Sequence, residues 1–514
     1  MSGCRVGKSY LSPYLQRGAM MAMGGGYTGA KRDRRQTMSW KPGSGDADSA
    51  ILPDLPTLRE RSRDLERNSP LAAGAIHTKV TSVVGTGLKA RAAIDRDILA
   101  NLTEEQADAW ERAAEREFRL ATSGEDFDIE RGHCFLDSQD LVFRSVLSAG
   151  DIFVNLRRKP RPGNPYTLRL QFIEADRVCN PDGKQDGNGL TCGVEKDADG
   201  APKRYHVAKF HPGNTGVQKR EWMALDAFDA AGRRKVLHVY RKLRPGQTRG
   251  VPDLAPVVEL IKGFTTYNEN EVHASVVASL LTVFVKSQSG LPNIGMPQVG
   301  QSQAAINTDG LELGSGAILG LLPGEDIEIV DPKRPNTAAE PFLRAMAEQI
   351  GVALELPYEL LVKHFTASYS AARAALLEAW RFFLRMRSWL AKSYCQPVWE
   401  MVITEAVARG RLAAPGFFTD PLIRMAYLGC EWVGDAMGQI DENKAVEAAN
   451  SRVEYGFSTR ARETSLLTGG DWERDEVQRQ KERRIGGPTM AQIVAGVEED
   501  NDGSDREDED NEAD

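Results

Sequence analysis

The residues best suited to chemistry are few and scattered. Gly24-Gly-Gly-Tyr-Thr-Gly-Ala-Lys31 has the glycine density of a phosphate-cradling loop. Such a loop needs Lys and then Ser or Thr directly after its last glycine, to meet the phosphates and a magnesium ion. Here Ala30 separates Gly29 from Lys31, and Arg32 follows, so the lysine is out of position. Gly85-Thr-Gly-Leu-Lys-Ala90 fits a loose dinucleotide pattern, but that chemistry requires a strand before the glycines and a helix after them. A helical pattern precedes them instead, and a glycine helix stop is the better reading. The histidines at 77, 133, 206, 211, 238, 273 and 364 make no HxxxH pair and no His/Cys cluster at metal-ligand spacing. The cysteines at 4, 134, 179, 192, 395 and 430 include no CxxC pair and read as reduced, idle thiols in a cytoplasmic setting. Adjacent acids such as Glu325-Asp326 read as a solvated turn. No Gly-x-Ser-x-Gly elbow occurs. The expectation is no catalytic group, no metal and no cofactor.

Charge says more about partners. The net charge is −8, but it is unevenly placed. Residues 1–43 carry eight bases and one acid; residues 498–514 carry eleven acids and one base. The first block is +7 and the second −10, which leaves −5 for 44–497. A reader of DNA sequence normally has a basic body, and this one is mildly acidic. Like-charged end blocks repel themselves, so 1–52 is expected to be a flexible basic arm and 487–514 an acidic disordered tail. No run approaches the ~18 apolar residues of a membrane helix, and the longest, Ala274–Val285, is broken by three hydroxyl residues. No membrane partner and no secretory signal are expected.

The elements that would position anything follow from periodicity. Helical signal runs from Leu55 to Val84, broken at Asn68-Ser-Pro70. Leu102–Leu120 and Asp137–Leu147 read as further helices. Asp151–Leu156, Thr167–Ile173, Thr191–Glu195, Arg204–Phe210 and Val236–Tyr240 are β-branched or aromatic runs separated by Pro, Gly, Asn and Asp turns. Pro252–Lys286 is predicted as one long helix, a length of about 50 Å at ~1.5 Å per residue. Such a helix needs a partner, because propensity alone does not sustain it. Short strands are predicted at Ile318–Leu322 and Ile327–Val330, then helices at Pro341–Leu354 and Ser368–Ala408, with a break around Pro357. Residues 436–486 read as polar helices, best at Ala445–Val453 and Trp472–Lys481.

Three stretches, in this order, resemble the lambda-type portal family of tailed bacteriophages. They are Arg61-Ser-Arg-Asp-Leu-Glu-Arg-Asn-Ser-Pro70 followed by Val83-Val-Gly-Thr-Gly87; Arg244-Pro-Gly-Gln-Thr-Arg-Gly-Val-Pro252; and Ser368-Tyr-Ser-Ala-Ala-Arg-Ala-Ala-Leu-Leu-Glu-Ala-Trp380. Gly193-Val-Glu-Lys-Asp197 with Tyr205-His-Val207 adds to them. The resemblance implies an α+β portal fold: a mixed α/β wing (53–250), a two-helix stem (252–286 and 341–355) and a small β-containing clip (287–340). It further implies a tunnel loop (356–367), a long wing helix with its following segment (368–429) and a helical crown (430–486). It implies a ring, usually of twelve copies, at one capsid vertex of the virion, assembled in the host cytoplasm. Double-stranded DNA would pass through it without sequence preference. The other implied partners are the terminase large subunit, the major capsid or scaffold protein, and head-tail connector proteins. Lys363 and His364 are then candidates to face DNA, and Val272, Val276 and Leu280 are candidates for subunit contact. Two other readings stand beside this one: a minor capsid or adaptor protein without a channel, and a packaging-associated enzyme. A fused protease would need a Ser/Lys or Ser/His constellation that the sequence does not offer. The helix pair flanking 287–340 favours the portal over the adaptor.

Overall fold

The computed structural model describes residues 30, 35–187, 189–216, 220–279, 283–287, 325–329, 339–365, 368–438 and 441–486. The body begins earlier than composition suggests. Helix α1 (Ala47–Ile51) lies inside the stretch expected to be a flexible arm. Asp46 caps it by accepting from the Ser49 N–H at 2.9 Å. Asp48 fastens it down by accepting from Thr248 N–H at 2.7 Å and pairing with Lys196 at 3.2 Å. Long-range contacts of this kind leave no mark on local composition.

Helices α2 (Leu55–Asn68) and α3 (Pro70–Val83) separate where Pro70 forces Ser69 out of the helical region, to φ −106° and ψ 115°. Gly85 and Gly87, with φ of +57° and +96°, end α3 as a helix stop. Strand β1 (Lys89–Ala92) follows. Helix α4 (Glu104–Thr122) starts with a reciprocal capping box between Thr103 and Gln106. Helix α5 (Phe135–Ala149) ends at Gly150, whose φ is +90°. The chain then turns directly into β2 (Asp151–Arg158), the middle strand between β3 (Leu168–Glu174) and a later strand.

A second sheet is a simple antiparallel meander: β4 (Leu190–Thr191), β5 (Val194–Lys196), β6 (Pro202–Ala208) and β7 (Trp222–Asp226). β7 is an addition to the strands predicted. Its Met-Ala-Leu centre favours helix, and its residues are half-buried or exposed, so no alternating pattern shows. β8 (Val236–Tyr240) returns to complete the three-stranded sheet β3-β2-β8.

The long helix is shorter than its apolar spacing predicts. A 3₁₀ turn at Ala255–Val257 leads into α6 (Val258–Ser279), and Val283–Ser287 is strand β9 rather than helix. β9 pairs antiparallel with β10 (Glu325–Ile329), Val283 opposite Ile329. The Val-Phe-Val run suits a pleated pairing better than a helix. The predicted strand Ile318–Leu322 lies outside the described residues. Helix α7 (Ala339–Leu354) is followed by the short α8 (Tyr358–Val362), a helix inside the predicted loop 356–367.

α9 (Tyr369–Leu390) and α10 (Gln396–Ala408) form one continuous helical path through a π turn at Ala391–Cys395. The turn sits just before Pro397, which has no N–H to continue the ordinary ladder. After α11 (Pro421–Tyr427), strand β11 (Cys430–Val433) pairs antiparallel with β1. This corrects the expectation that the helical crown begins at 430: Trp432 packs on Phe135 with centroids 5.8 Å apart. Four residues are too few to display strand alternation. Polar helices α12 (Glu442–Glu454), α13 (Arg460–Thr468) and α14 (Trp472–Gly486) complete the described chain.

The main core lies between α3, α4, α5, the three-stranded sheet and the α9–α10 path. Trp399 and Tyr394 are fully buried in it beside Phe118 and Phe135. Across this core Glu405 of α10 accepts from Thr167 N–H at 2.7 Å and Leu168 N–H at 3.1 Å, fixing the start of β3.

One fully buried carboxylate organises the junction below α6. Asp151, the first residue of β2, receives Arg249 Nε at 2.6 Å, Arg59 Nη2 at 2.8 Å, His238 Nε2 at 3.1 Å and the Gly250 N–H at 3.2 Å. Arg249 also donates to the carbonyls of Val178, Cys192 and Ala175 at 2.7–2.8 Å. Gly150 and Gly250 cross here in backbone contact; a Cβ on Gly250 would stand 1.9 Å from the Gly150 carbonyl oxygen. Burial alone would raise the Asp151 carboxyl, but the guanidiniums of Arg249 and Arg59 outweigh it and hold it well below the usual carboxylate range. Burial pushes the His238 imidazole down, against the pull of Asp151.

Asp151→Asn should therefore destabilise the fold by about 3–5 kcal/mol, because two buried guanidiniums lose their counter-charge; urea unfolding of the purified chain measures this. The pH dependence has a defined sign. Both native groups bind protons less readily than their unfolded counterparts, so their stabilisation is present at neutral pH and declines on acidification. Loss should begin below about pH 6.5 as unfolded His238 takes up a proton, and steepen below about pH 4 as unfolded Asp151 does. A His238→Gln chain should lack the first phase; retention of that phase assigns it to other groups.

Candidate functional site: the paired helices and the loop beyond them

The base of α6 is fixed from several directions. Buried Val258 and Ile261 anchor it in the core. Just before it, Asp253 pairs with Arg241 at 3.0 Å and with the buried Lys79 of α3, whose ammonium also lies over the Phe382 ring. The Asp253 N–H bonds the Leu147 carbonyl at 2.8 Å. α7 packs beside α6, burying Ala347, Ile350 and Leu354 on the body side. Gly263 of α6 lets Met346 approach, and Tyr267 meets Phe342 with centroids 5.2 Å apart.

Farther out the pair loses its cover. Val272 is 63 % exposed, Val276 55 % and Phe342 50 %. Two of the predicted contact residues, Val272 and Val276, thus share the outer part of α6, one turn apart. The third, Leu280, lies outside the described residues.

The other two predicted residues sit where the chain leaves α7. Gly351 closes this turn: its carbonyl accepts the Leu356 N–H at 2.9 Å, and a Cβ there would stand 2.5 Å from the Leu356 oxygen. Pro357 caps α8, whose Leu361 is buried. Lys363 ends α8 in the left-handed conformation, φ +57°. Lys363, His364 and Phe365 are all exposed. The structure brings Lys363 and His364 together as neighbours in one loop and leaves Val272 and Val276 on another element.

Two features escaped sequence reasoning. The Asp151 cluster draws on Arg249 of the second resembling stretch and Arg59 just ahead of the first, yet nothing local singles out Asp151. An acid directly after a helix-ending glycine, Gly150-Asp151, is the one signal the sequence holds. The second is a convergence of Glu174, Asp176 and His211, whose ligand-type atoms lie within 4.8 Å of one another. Arg63 already bridges both carboxylates, at 3.1 Å from Glu174, and the Gly213 N–H donates to His211 Nδ1 at 3.0 Å. A metal at Nε2 would need that Nδ1 protonated, so the arrangement is that of an ion-pair network.

A family model described as phage portal protein, lambda family, matches residues 33–387. The chain belongs to that family. Portal protein B of Escherichia phage lambda is 25% identical over 479 residues, covering 88% of each chain. The portal protein of Escherichia phage N15 is 24% identical over 511 residues, covering 93% of this chain and 94% of the relative. A probable portal protein of Halomonas phage phiHAP-1 is 24% identical over 434 residues. Among solved structures, a chain from the neck of a native gene transfer agent particle, computed with C12 symmetry, aligns at TM-score 0.46 and 13% identity, over 80% of this chain and 93% of that one. The matched span of this portal family member runs from ahead of α1 through most of α9, so it contains both α6 and α7 and the loop after them. Its membership is in a structural protein family, and its own body is of mixed helix and strand.

Replacing Val272 and Val276 together by Asp should leave the isolated subunit within about 0.5 kcal/mol of its normal stability, since both are exposed. The same change should abolish self-association. Unchanged assembly in analytical ultracentrifugation would show that the outer part of α6 makes no subunit contact.

Proposed function

We propose that this chain is one subunit of a closed ring, of twelve copies, that forms the DNA channel at a single capsid vertex. The family match spanning the helix pair carries this reading. Head-to-tail contacts close such a ring, and the uncovered apolar ends of α6 and α7 supply surface for them. The helix pair is the stem, the paired strands β9 and β10 are the root of the clip, and the loop bearing Lys363 and His364 faces the axis. The terminase large subunit docks at the clip, head-tail connector proteins follow after packaging, and capsid or scaffold protein meets the wing. Assembly takes place in the host cytoplasm.

Charge fits passage rather than grip. Each phosphate neutralised by a protein cation adds salt-sensitive affinity. A ring whose subunits carry −5 between residues 44 and 497 keeps the duplex loosely centred. Lys363 and His364 touch the backbone transiently from that loop.

Electron microscopy of the purified protein tests the reading. It should show rings with an axial hole wide enough for a duplex, roughly 20 Å from groove dimensions. Compact monomers at every concentration would favour the adaptor instead. Lys363→Ala should leave rings intact and lower the yield of packaged DNA; a normal yield would remove this residue from the channel.

A further inference from the structure

Helix α1 lies against the segment that leads into α6, and polar contacts do most of the holding. Ala47 is its one buried residue and belongs to neither apolar core. Asp48 accepts from the Thr248 N–H at 2.7 Å and from the Thr248 hydroxyl, and pairs with Lys196 at 3.2 Å. Arg244 reaches back to the Gly45 carbonyl at 3.0 Å. Beside α1 is a cavity of about 770 Å³ in place of close packing. Its lining joins Asp48, Ser49 and Leu52 to Cys179, Cys192 and Trp222. The cavity borders the Asp151 cluster, because the Cys192 sulfur accepts from Arg249 Nη1 at 3.4 Å. Thr248, only 4 % exposed, precedes Arg249 directly. Fully buried Arg249 therefore stands between a residue that lines the cavity and a residue that α1 covers.

We infer that α1 is a strap over the base of α6: it lifts from the 244–250 segment as a unit while the core stays folded, and its lifting loosens the Asp151 cluster. The inference concerns one chain and does not rest on the ring. Segments with few buried apolar contacts open at a small fraction of the cost of global unfolding. Lifting takes Asp48 away from the Thr248 N–H and hydroxyl, and a buried donor left without a partner draws water in. That water arrives one residue from Arg249, whose bonds to Asp151 are strong only in a dry surrounding. Once Arg249 loosens, the Gly250 N–H loses its fixed place on Asp151. The base of α6 then rests on fewer contacts, chiefly Asp253 and the buried Val258 and Ile261. The strap gives that base two states, one locked and one loosened.

Hydrogen exchange of the full chain, resolved to single amides, tests this with Gly250 as reporter, since its N–H is bonded to Asp151 and not to α1. Asp48→Ala should speed exchange at Gly250 by roughly tenfold or more, the loss expected when a charged acceptor is removed. The amides of α10 should keep their rates, and fully buried Cys395 should stay closed to iodoacetamide. Thr248→Val keeps the N–H and drops only the hydroxyl bond, so it should give a smaller rise at the same amide. Faster exchange confined to residues 46–52, with Gly250 unchanged in both variants, would show that α1 opens without touching the cluster and overturn the inference. Faster exchange throughout α10 with alkylation of Cys395 would make α1 part of the cooperative core, and would overturn it too.

Discussion

A single buried negative charge governs how this chain is put together. Asp151 has no contact with solvent, and it is held by a helix near the start of the body, a strand at the edge of the central sheet and the segment leading into α6. Isolated charges are not stable in protein interiors, so β2, which carries Asp151, and these three elements must arrive together or not at all. The geometry leaves little slack, because Arg249 spends its remaining donors on three backbone carbonyls and stacks over Phe153. The Gly150–Gly250 crossing sets the distance, since no side chain fits at either position. Such a cluster contributes less to net stability than to uniqueness, for a hydrophobic replacement could stabilise as well but would not dictate one arrangement.

The direction of α6 is what that arrangement fixes. The helix starts a few residues after Arg249 and is steadied again by Asp253 against Lys79 and Arg241. Its inner half is therefore rigidly joined to the body, while its outer half carries Val272 and Val276 into solvent. A rotation at the base would be magnified along the ~33 Å of a helix this long. In a closed ring every subunit must repeat the same angle, so the tolerance at the base is set by the closure of the whole assembly. This gives a physical reason for a charged lock, with directional hydrogen bonds, in place of a purely apolar joint.

Much of this was legible in the sequence, and the exceptions have a common cause. The helices at Leu55–Asn68, Pro70–Val83 and Glu104–Thr122, and the strands of the central sheet, announce themselves by period, caps and proline breaks. Gly85 and Gly87 read correctly as a stop. What stayed hidden depends on partners far away in the chain. The β1–β11 pair joins residues more than three hundred positions apart, each strand only four residues long. α1 exists because Asp48 reaches Thr248. The end of α6 was misplaced because Val283, Phe284 and Val285 continue an apolar pattern that the pairing with β10 converts into strand. The exposure of Lys363 and His364 followed from Pro357, whereas the short helix before them did not.

The subunit is finished in one part and unfinished in another, and the division is physical. The core around Trp399 and Tyr394 is closed, aromatic and fully buried. The outer ends of α6 and α7 keep Val272, Val276 and Phe342 in water. A monomeric protein has no reason to keep such surface, since each exposed apolar patch invites uncontrolled association. In a ring, head-to-tail contact would let each copy cover what its neighbour leaves bare. Head-to-tail contact favours continued addition over dimer formation, and in a ring addition stops when the last subunit meets the first. In the ring proposed above, closure would bury the outer apolar ends of α6 together, which favours the complete ring over open intermediates.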